Sequence, residues 1–417
     1  MKPKQHEADL TAEQYLNVEQ TLSHRTRTSH VVLIVVCAAL VVGLGLGLCL
    51  GEHENFSPEE NRALTTAPTL SADALFDGSW SRSLSDFCAD QFPFRSSFVT
   101  VKAAGELLLS KQQNNNVLLG KDGYLIARLE YNDEQRDHLE SNLRAVRTFS
   151  ERMAEHGIPF TFAVVPRSID VNTTKLPTLY DPSHAYAVWS WLDEGCEREA
   201  LTLLDLREPL CAAAGNGEDV WYKTDHHWTA LGAYYAYVAL GDMLGYEPYP
   251  ITDFEAQTVC DDFYGTTYAS SGMHWTSGEP LTLMRFEGDE RYVTEIVSAA
   301  ETRTLQGLYD LAALDTHDEY NAFLGGTNAH IRVSDPSRPE LATLVLLKDS
   351  FSQSLAPYLA RHFNLVLMDP RTFMAEPGSS LFSTVCGYEP DQVLLLCGIA
   401  TLCEPSSQRN LIIGLDR

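Results

Sequence analysis

Hydrophobic and polar positions change character abruptly at Val31. Residues 1–30 are polar and lack strong periodicity, whereas Val31 to Gly51 is an uncharged, apolar run of 21 residues. At about 1.5 Å per helical residue that run spans roughly the ~30 Å hydrocarbon core of a bilayer. One membrane crossing is the reading, with residues 1–30 as a tail to which no function is assigned. Beyond it, Glu60-Asn61-Arg62 to Pro68 reads as an extended linker, and Asp77-Gly78-Ser79-Trp80 opens a segment that closes on Asp90-Gln91-Phe92-Pro93-Phe94-Arg95. Residues 52–110 are therefore taken as linker and stalk.

From residue 111 the pattern becomes that of a folded domain. Two short apolar runs flank Gly120-Lys121-Asp122-Gly123, which predicts a hairpin between Val117 and Ile126. Leu139, Leu143, Val146, Phe149 and Met153 recur at helical spacing, and Gly157 stands at the C-cap position. The alternation continues with a strand at Phe160 to Val165, a helix from about Pro182 to Glu199, a strand at Leu201 to Leu206 and a helix over Ala230 to Leu244. Strands at Leu344 to Leu347 and Leu365 to Met368 then flank a helical stretch from Ser352 to His362, and Val393 to Leu396 supplies one more strand. Strands alternating with helices imply an α/β fold whose parallel sheet is covered on both faces. Between about 246 and 339 the pattern turns polar and glycine-containing, with short strands at Leu281 to Phe286 and Tyr292 to Val297. That stretch is read as an insertion within a domain of residues 111–417.

Charge orients the span. Arg25 and Arg27 precede it and Glu52, Glu54, Glu59 and Glu60 follow, so the positive-inside rule puts the N-terminus in the cytoplasm and the domain outside. A cleaved signal peptide is the weaker alternative. The run exceeds an h-region of roughly 7 to 15 residues, and no A-x-A-like site follows it. Cys49, preceded by Leu46-Gly47-Leu48, fits a lipoprotein signal poorly. A net charge of −27 argues against a nucleic-acid surface. Of nine cysteines, two lie in the span and seven beyond it, an odd number that leaves at least one unpaired or paired between chains. No CxxC pair suggests structural zinc.

Candidate chemistry concentrates in Lys223-Thr224-Asp225-His226-His227-Trp228-Thr229. An acid, two imidazoles and an indole in consecutive positions are costly to bury without partners, which favours a site. The second half is Ser350, in Lys348-Asp349-Ser350-Phe351-Ser352 after the run Leu344 to Leu347. Ligands of an open parallel sheet collect beyond the carboxyl ends of its strands, and a serine there meets free N–H groups at the start of a helix. A serine hydroxyl needs a base, commonly an imidazole held by a carboxylate, and Asp225 with His227 could supply both. Plainer readings stand beside this one: Ser350 as an N-cap, the histidines as a metal half-site or surface imidazoles, and Trp228 as core.

Thr224-Asp225-His226-His227-Trp228 resembles the signature of the bacterial DHHW proteins, which are similar to the extracytoplasmic O-acetyltransferases of alginate within the SGNH-hydrolase-like group. Further blocks appear in family order: Glu60-Asn61-Arg62, Asp90 to Arg95, Gly120 to Leu125, Phe263-Tyr264-Gly265-Thr266 with Ser271-Gly272, and Phe323 to Gly326. The resemblance implies a permuted SGNH-like fold with Ser350 as nucleophile, His227 as base and Asp225 as its partner, working without cofactor or metal. Backbone N–H groups at Ser350 or Phe351 would hold the oxyanion. His226 is expected to be structural or substrate-facing, and Trp228 and Tyr268 are candidates for stacking on sugar rings. Lys348-Asp349 departs from the hydrolases' Gly-Asp, and only Gly398 and Asn172 suggest themselves as the separate oxyanion donors. The implied activity is transfer or removal of an acyl group, most simply acetyl, on a cell-surface or secreted polysaccharide. A membrane-bound partner would deliver the acyl group. The rivals are a carbohydrate-binding or assembly scaffold with the same fold, and a DHH-type metal phosphoesterase, for which the further aspartates and a glycine-rich motif are missing.

Overall fold

A computed structural model of the chain describes residues 12–129, 131–298, 301–375 and 378–414, with side chains from residue 26. The chain divides into two compact units, 12–57 with 62–98 and 58–61 with 99–414 among the described residues, and the division falls inside the helix Arg95–Leu108.

The first unit is built on helix α1 (Ala12–Leu50). Its segment Thr26–Leu50, of mean hydropathy 3.0, is long and apolar enough to cross a membrane. The helix also takes in residues 12–30 of the expected tail, where Glu, Gln and Leu extend a helix already nucleated by the span; residues 1–11 lie outside the described residues. Two blocks of the linker and stalk meet in this unit. Arg62 donates to both oxygens of Asp90, which also accepts from Thr65 N and Oγ1, while Gln91 exchanges hydrogen bonds with the backbone of Glu54. This clasp lies at the C-terminal end of α2 (Ser79–Asp90), ahead of α3 (Arg95–Leu108).

The second unit is organised by one eight-stranded sheet. In chain order its strands are β1 (Phe160–Val165), β2 (Leu203–Asp205), β3 (Val293–Val297), β4 (Thr302–Gln306), β5 (His330–Ser334), β6 (Thr343–Lys348), β7 (Asn364–Met368) and β8 (Gln392–Gly398). In space they run β4-β3-β5-β7-β6-β8-β1-β2. The five strands from β7 to β2 are parallel, and β5, β3 and β4 extend the sheet antiparallel. The expected parallel sheet is thus the centre of a mixed one. The stretch 246–339 contributes to it directly through β3, β4 and β5, while Glu255–Phe263 and Glu279–Arg285 pair as a separate hairpin.

The central strands are unbroken apolar runs because both faces are covered. Leu344 and Leu346 of β6 pack with Leu365, Leu367, Leu394 and Leu396 under α6 (Ala230–Leu244) and α7 (Ser352–Leu359). Val345 and Leu347 point the other way, with Val366, Val393 and Leu395, under α4 (Asp133–Glu155) and α5 (Ser183–Arg198). Local signals set the helix ends. Asn132 and Gln135 form a capping box for α4, Gly157 follows it at φ +71°, and Thr229 caps α6 through Gly232 N. The predicted hairpin forms between Val117–Leu119 and Leu125–Ala127, and Leu125 N donates to Lys223 O at 2.7 Å, which ties it to the Asp225 loop.

Candidate active site

The loop from Lys223 to His227 is closed by its flanks. Trp221 and Trp228 form an isolated antiparallel bridge, Tyr222 N donates to His227 O and Thr229 N to Val220 O. Beneath the loop the buried carboxylate of Glu279 accepts from Lys223 N (2.9 Å), Thr224 N (2.7 Å) and Thr224 Oγ1 (2.7 Å). Burial, with the nearby Asp225 charge, raises the Glu279 pKa against those hydrogen bonds. A tight loop carrying three polar side chains would leave its amides unsatisfied, and Glu279 supplies the missing acceptor.

Asp225 is buried and accepts four hydrogen bonds. Its Oδ1 receives His227 N (2.9 Å) and His227 Nδ1 (2.5 Å), and its Oδ2 receives Thr266 N (2.7 Å) and Thr266 Oγ1 (2.9 Å). Burial alone would raise its pKa. The neighbouring imidazoles and these hydrogen bonds overcome that and hold the carboxyl well below the usual range. Approach of the Thr266 segment requires glycine at 265, because a Cβ there would lie 2.2 Å from Asp225 Cβ. An acceptor-only carboxylate at Nδ1 fixes the His227 tautomer, so Nε2 faces outward as an acceptor. It meets Ser350 Oγ at 2.7 Å. The imidazole is stacked by Tyr320 on one side, with ring centres 4.1 Å apart and planes 6° from parallel, and is touched edgewise by Phe351.

Ser350 sits two residues past the end of β6, on the turn into α7, where the carboxyl ends of the parallel strands converge. Asp349 fixes that turn. Its buried carboxylate accepts from Phe351 N (3.1 Å), Gly398 N (2.7 Å) and Thr401 Oγ1 (2.7 Å), linking the ends of β6 and β8. Two of the amides expected to bind an oxyanion, those of Phe351 and Gly398, donate to Asp349. The amide of Ser350 itself makes no hydrogen bond among the described residues. Gly398 instead makes room for the Phe351 ring, which a Cβ would approach to 3.0 Å. The Asn172 side chain donates to Ser168 Oγ at 3.1 Å.

The remaining candidates sort by exposure. Trp228 is fully buried, its Nε1 donating to Phe351 O and Ser354 Oγ, so it braces the helix behind Ser350 and has no face open to a sugar. Tyr268 is likewise buried between Tyr264 and His274, and its amide donates to Thr224 O. His226 is the open one, with 43 % of its side chain accessible. Its Nδ1–H donates to Thr266 Oγ1, which in turn donates to Asp225. Surrounding protein, then the His227 charge, and Arg371 beyond it, lower the His226 pKa against the pull of Asp225. Ligand atoms of Asp225, His226 and His227 all lie within 4.8 Å of one another, as a metal half-site requires. Both nitrogens of His227, however, are engaged by Asp225 and Ser350. Glu279, Thr266 and Tyr320 escaped the sequence reading, although Gly265-Thr266 lies in one of the blocks that carried the resemblance.

Residues 117–276 match the model of an SGNH hydrolase-like domain, acetyltransferase AlgX, and residues 211–368 match that of the DHHW proteins. The fold is shared with a DHHW family protein from Eubacterium siraeum (TM-score 0.58, 18 % identity, covering 72 % of this chain and 95 % of that one). It is also shared with Bacillus cereus PatB1, solved with a sulfonyl adduct (TM-score 0.54, 16 % identity, 69 % and 97 %). The chain has an SGNH-hydrolase-like α/β fold. Within that class it is similar to the DHHW proteins and to the alginate O-acetylases. A Pseudomonas syringae pv. tomato protein named "Probable alginate O-acetylase AlgJ" is 25 % identical over 220 residues, 52 % of each chain, and a Pseudomonas fluorescens protein of the same name is 25 % identical over 168 residues, 40 % of this chain and 43 % of its own. The chain spans about half the length of these relatives.

Proposed function

We propose that this chain is a membrane-anchored, extracytoplasmic acyl transferase or esterase that moves an acetyl group on or off a cell-surface or secreted polysaccharide. The observation that carries the reading is the unbroken hydrogen-bonded line from Asp225 Oδ1 through the His227 ring to Ser350 Oγ. The names of the AlgJ relatives support acetyl as the group transferred. Thr26–Leu50 is the anchor, and the charges flanking it support an outward-facing domain.

In this mechanism Ser350 Oγ attacks the carbonyl carbon of an acyl donor while its proton passes to His227 Nε2. Asp225, ionised and fully hydrogen-bonded, stabilises the imidazolium without taking its proton. The uncommitted Ser350 amide donates to the oxyanion. Collapse expels the donor alcohol, which leaves with the proton from His227, and Ser350 carries the acyl ester. A sugar hydroxyl or water then gives its proton to His227 as it attacks the ester, and His227 passes that proton to Ser350 Oγ as the serine leaves. The choice of acceptor decides between transfer and hydrolysis. Acetyl-coenzyme A is not available outside the cell, so a membrane-bound partner is the proposed source of the acyl group.

The test is a paired assay of the purified full chain with an aryl acetate donor and an acetyl-free acidic or neutral polysaccharide. Both aryl alcohol release and ester formed on the polysaccharide are measured. Ser350→Ala should lower both by about 10³-fold or more. Undiminished turnover by that variant would overturn the reading.

A further inference from the structure

The first unit presents an aromatic cluster beside the end of the apolar helix. Along Thr26–Leu50 every side chain is exposed except Leu44, Gly47 and Leu48, which are part-covered and share one helical face. Pro93 is seated on that face: a Cβ on Gly47 would lie 3.0 Å from Pro93 Cγ. The end of the helix is held by the same unit, since His53 hydrogen-bonds Leu48 O and packs edgewise on Phe87 at 4.9 Å.

Phe92 and Phe94 flank Pro93 in the chain. Phe92 packs edgewise on Phe98 at 5.8 Å, and Phe92, Phe94 and Phe98 are 37, 76 and 52 % exposed. Phe94 also holds φ +60°, a left-handed conformation that a bulky side chain adopts at a cost and that glycine or asparagine would adopt more readily. The chain thus spends conformational energy to turn a large apolar ring outward.

Depth identifies what covers it. The uncharged run Val31 to Gly51 by itself matches the ~30 Å hydrocarbon core. Gly47 stands four residues, about 6 Å, inside the end of that run at Gly51. It therefore lies just within the hydrocarbon boundary, and Pro93 with its phenylalanines lies beside it. Apolar rings at that level are stabilised by burial in the headgroup and acyl boundary.

We infer that Phe92, Phe94 and Phe98 form an interfacial membrane contact, a second point of attachment that inserts into the bilayer surface next to the outer end of α1. The inference rests on α1 crossing the membrane. It predicts that this segment is held against the lipid, not displayed to solvent.

The test uses the full chain in lipid nanodiscs with single tryptophans introduced as Phe94→Trp or Phe98→Trp, each read as the difference from the parent protein. Leu40→Trp, in the span, reports crossing, and Leu179→Trp, 86 % exposed in the second unit, serves as the aqueous control. Lipids brominated high on the acyl chain should quench and blue-shift the tryptophans at 94 and 98, more than lipids brominated near the methyl end. Quenching at 40 without quenching at 94 and 98 overturns the interfacial contact and leaves the anchor standing. Shielding of 94 and 98 from both brominated lipid and aqueous iodide would show a protein partner or second copy on this face, which also overturns it. Loss of quenching at 40 as well would bring down both readings.

Discussion

The phenol ring of Tyr320 lies flat on the imidazole of His227, 4.1 Å between centres and 6° from parallel, while its hydroxyl bonds Ser354 Oγ at 3.1 Å. Ser354 also receives Trp228 Nε1, so the stack and the turn carrying Ser350 are braced by one network. Tyr320 is a positioning residue by this account. Tyr320→Phe keeps the stack and should retain kcat within a few-fold. Tyr320→Ala frees the ring to tilt away from Ser350 and should lower kcat by about 10²-fold with little change in KM. Steady-state kinetics on both variants, with thermal melts to confirm folding, read the difference.

Gly265 permits the contact between Thr266 and Asp225. A methyl group at 265 would collide with the Asp225 side chain at 2.2 Å, and its nearest neighbours include the carboxylate that orients His227. Gly265→Ala should therefore cost about 10²-fold in kcat or more. Binding of a non-reacting polysaccharide, measured by calorimetry, should change far less.

Asp225 makes a prediction with a definite sign in pH. Its folded pKa is lowered, so its stabilising contribution is fully present above the unfolded value of 3.8 and is lost as pH falls below it. The stability gap between wild type and Asp225→Asn should be flat from about pH 8 to pH 5 and should narrow only under about pH 4. The same variant should lose roughly 10²- to 10⁴-fold in kcat, because an amide can present the wrong atom to Nδ1. Denaturant melts across pH, paired with kinetics at pH 7, check both statements.

Lys348 is a buried charge that costs stability where Asp225 contributes it. It ends β6 fully buried, its Nζ has no hydrogen-bond partner among the described residues, and burial lowers its pKa to about 8 against the pull of Asp369 and Asp349. The native state thus gives up this proton before the unfolded chain does, and stability rises with pH between about 8 and the ordinary 10.5. At neutral pH the charged amine costs roughly 3 kcal/mol. Lys348→Met should stabilise the protein at pH 7 by about 1–3 kcal/mol, with the gain shrinking toward pH 10. A gain that does not depend on pH across this range would show that the folded amine keeps its ordinary pKa and stays charged, which would contradict the shift.

Much of this was legible in the chain because it rests on local patterns. The runs at Phe160 to Val165, Leu344 to Leu347 and Val393 to Leu396 are strands because both of their faces are buried, and an unbroken apolar run records that directly. Ser350 could be placed beyond a strand end for the same reason. Antiparallel pairing of β5 with β7 was hidden, since strand direction depends on partners far along the chain. The amides of Phe351 and Gly398 both donate to one carboxylate, Asp349, and a sequence does not show which acceptor an N–H will meet. Trp228 and Tyr268 carry a stacking and a packing reading side by side in the sequence, and both are buried in the fold. Glu279 and Tyr320 carried no local signal, because each reaches the Asp225–His227 loop from a segment more than fifty residues away from it.

The most direct test of the central claim is covalent capture of Ser350. The full chain is treated with a serine-directed fluorophosphonate or sulfonyl fluoride at neutral pH, digested and mapped by mass spectrometry. A single adduct on Ser350 is expected, absent in Ser350→Ala and strongly slowed in His227→Ala, both shown to be folded. A folded wild-type protein that takes up no label at Ser350, or labels equally fast without His227, would contradict the account.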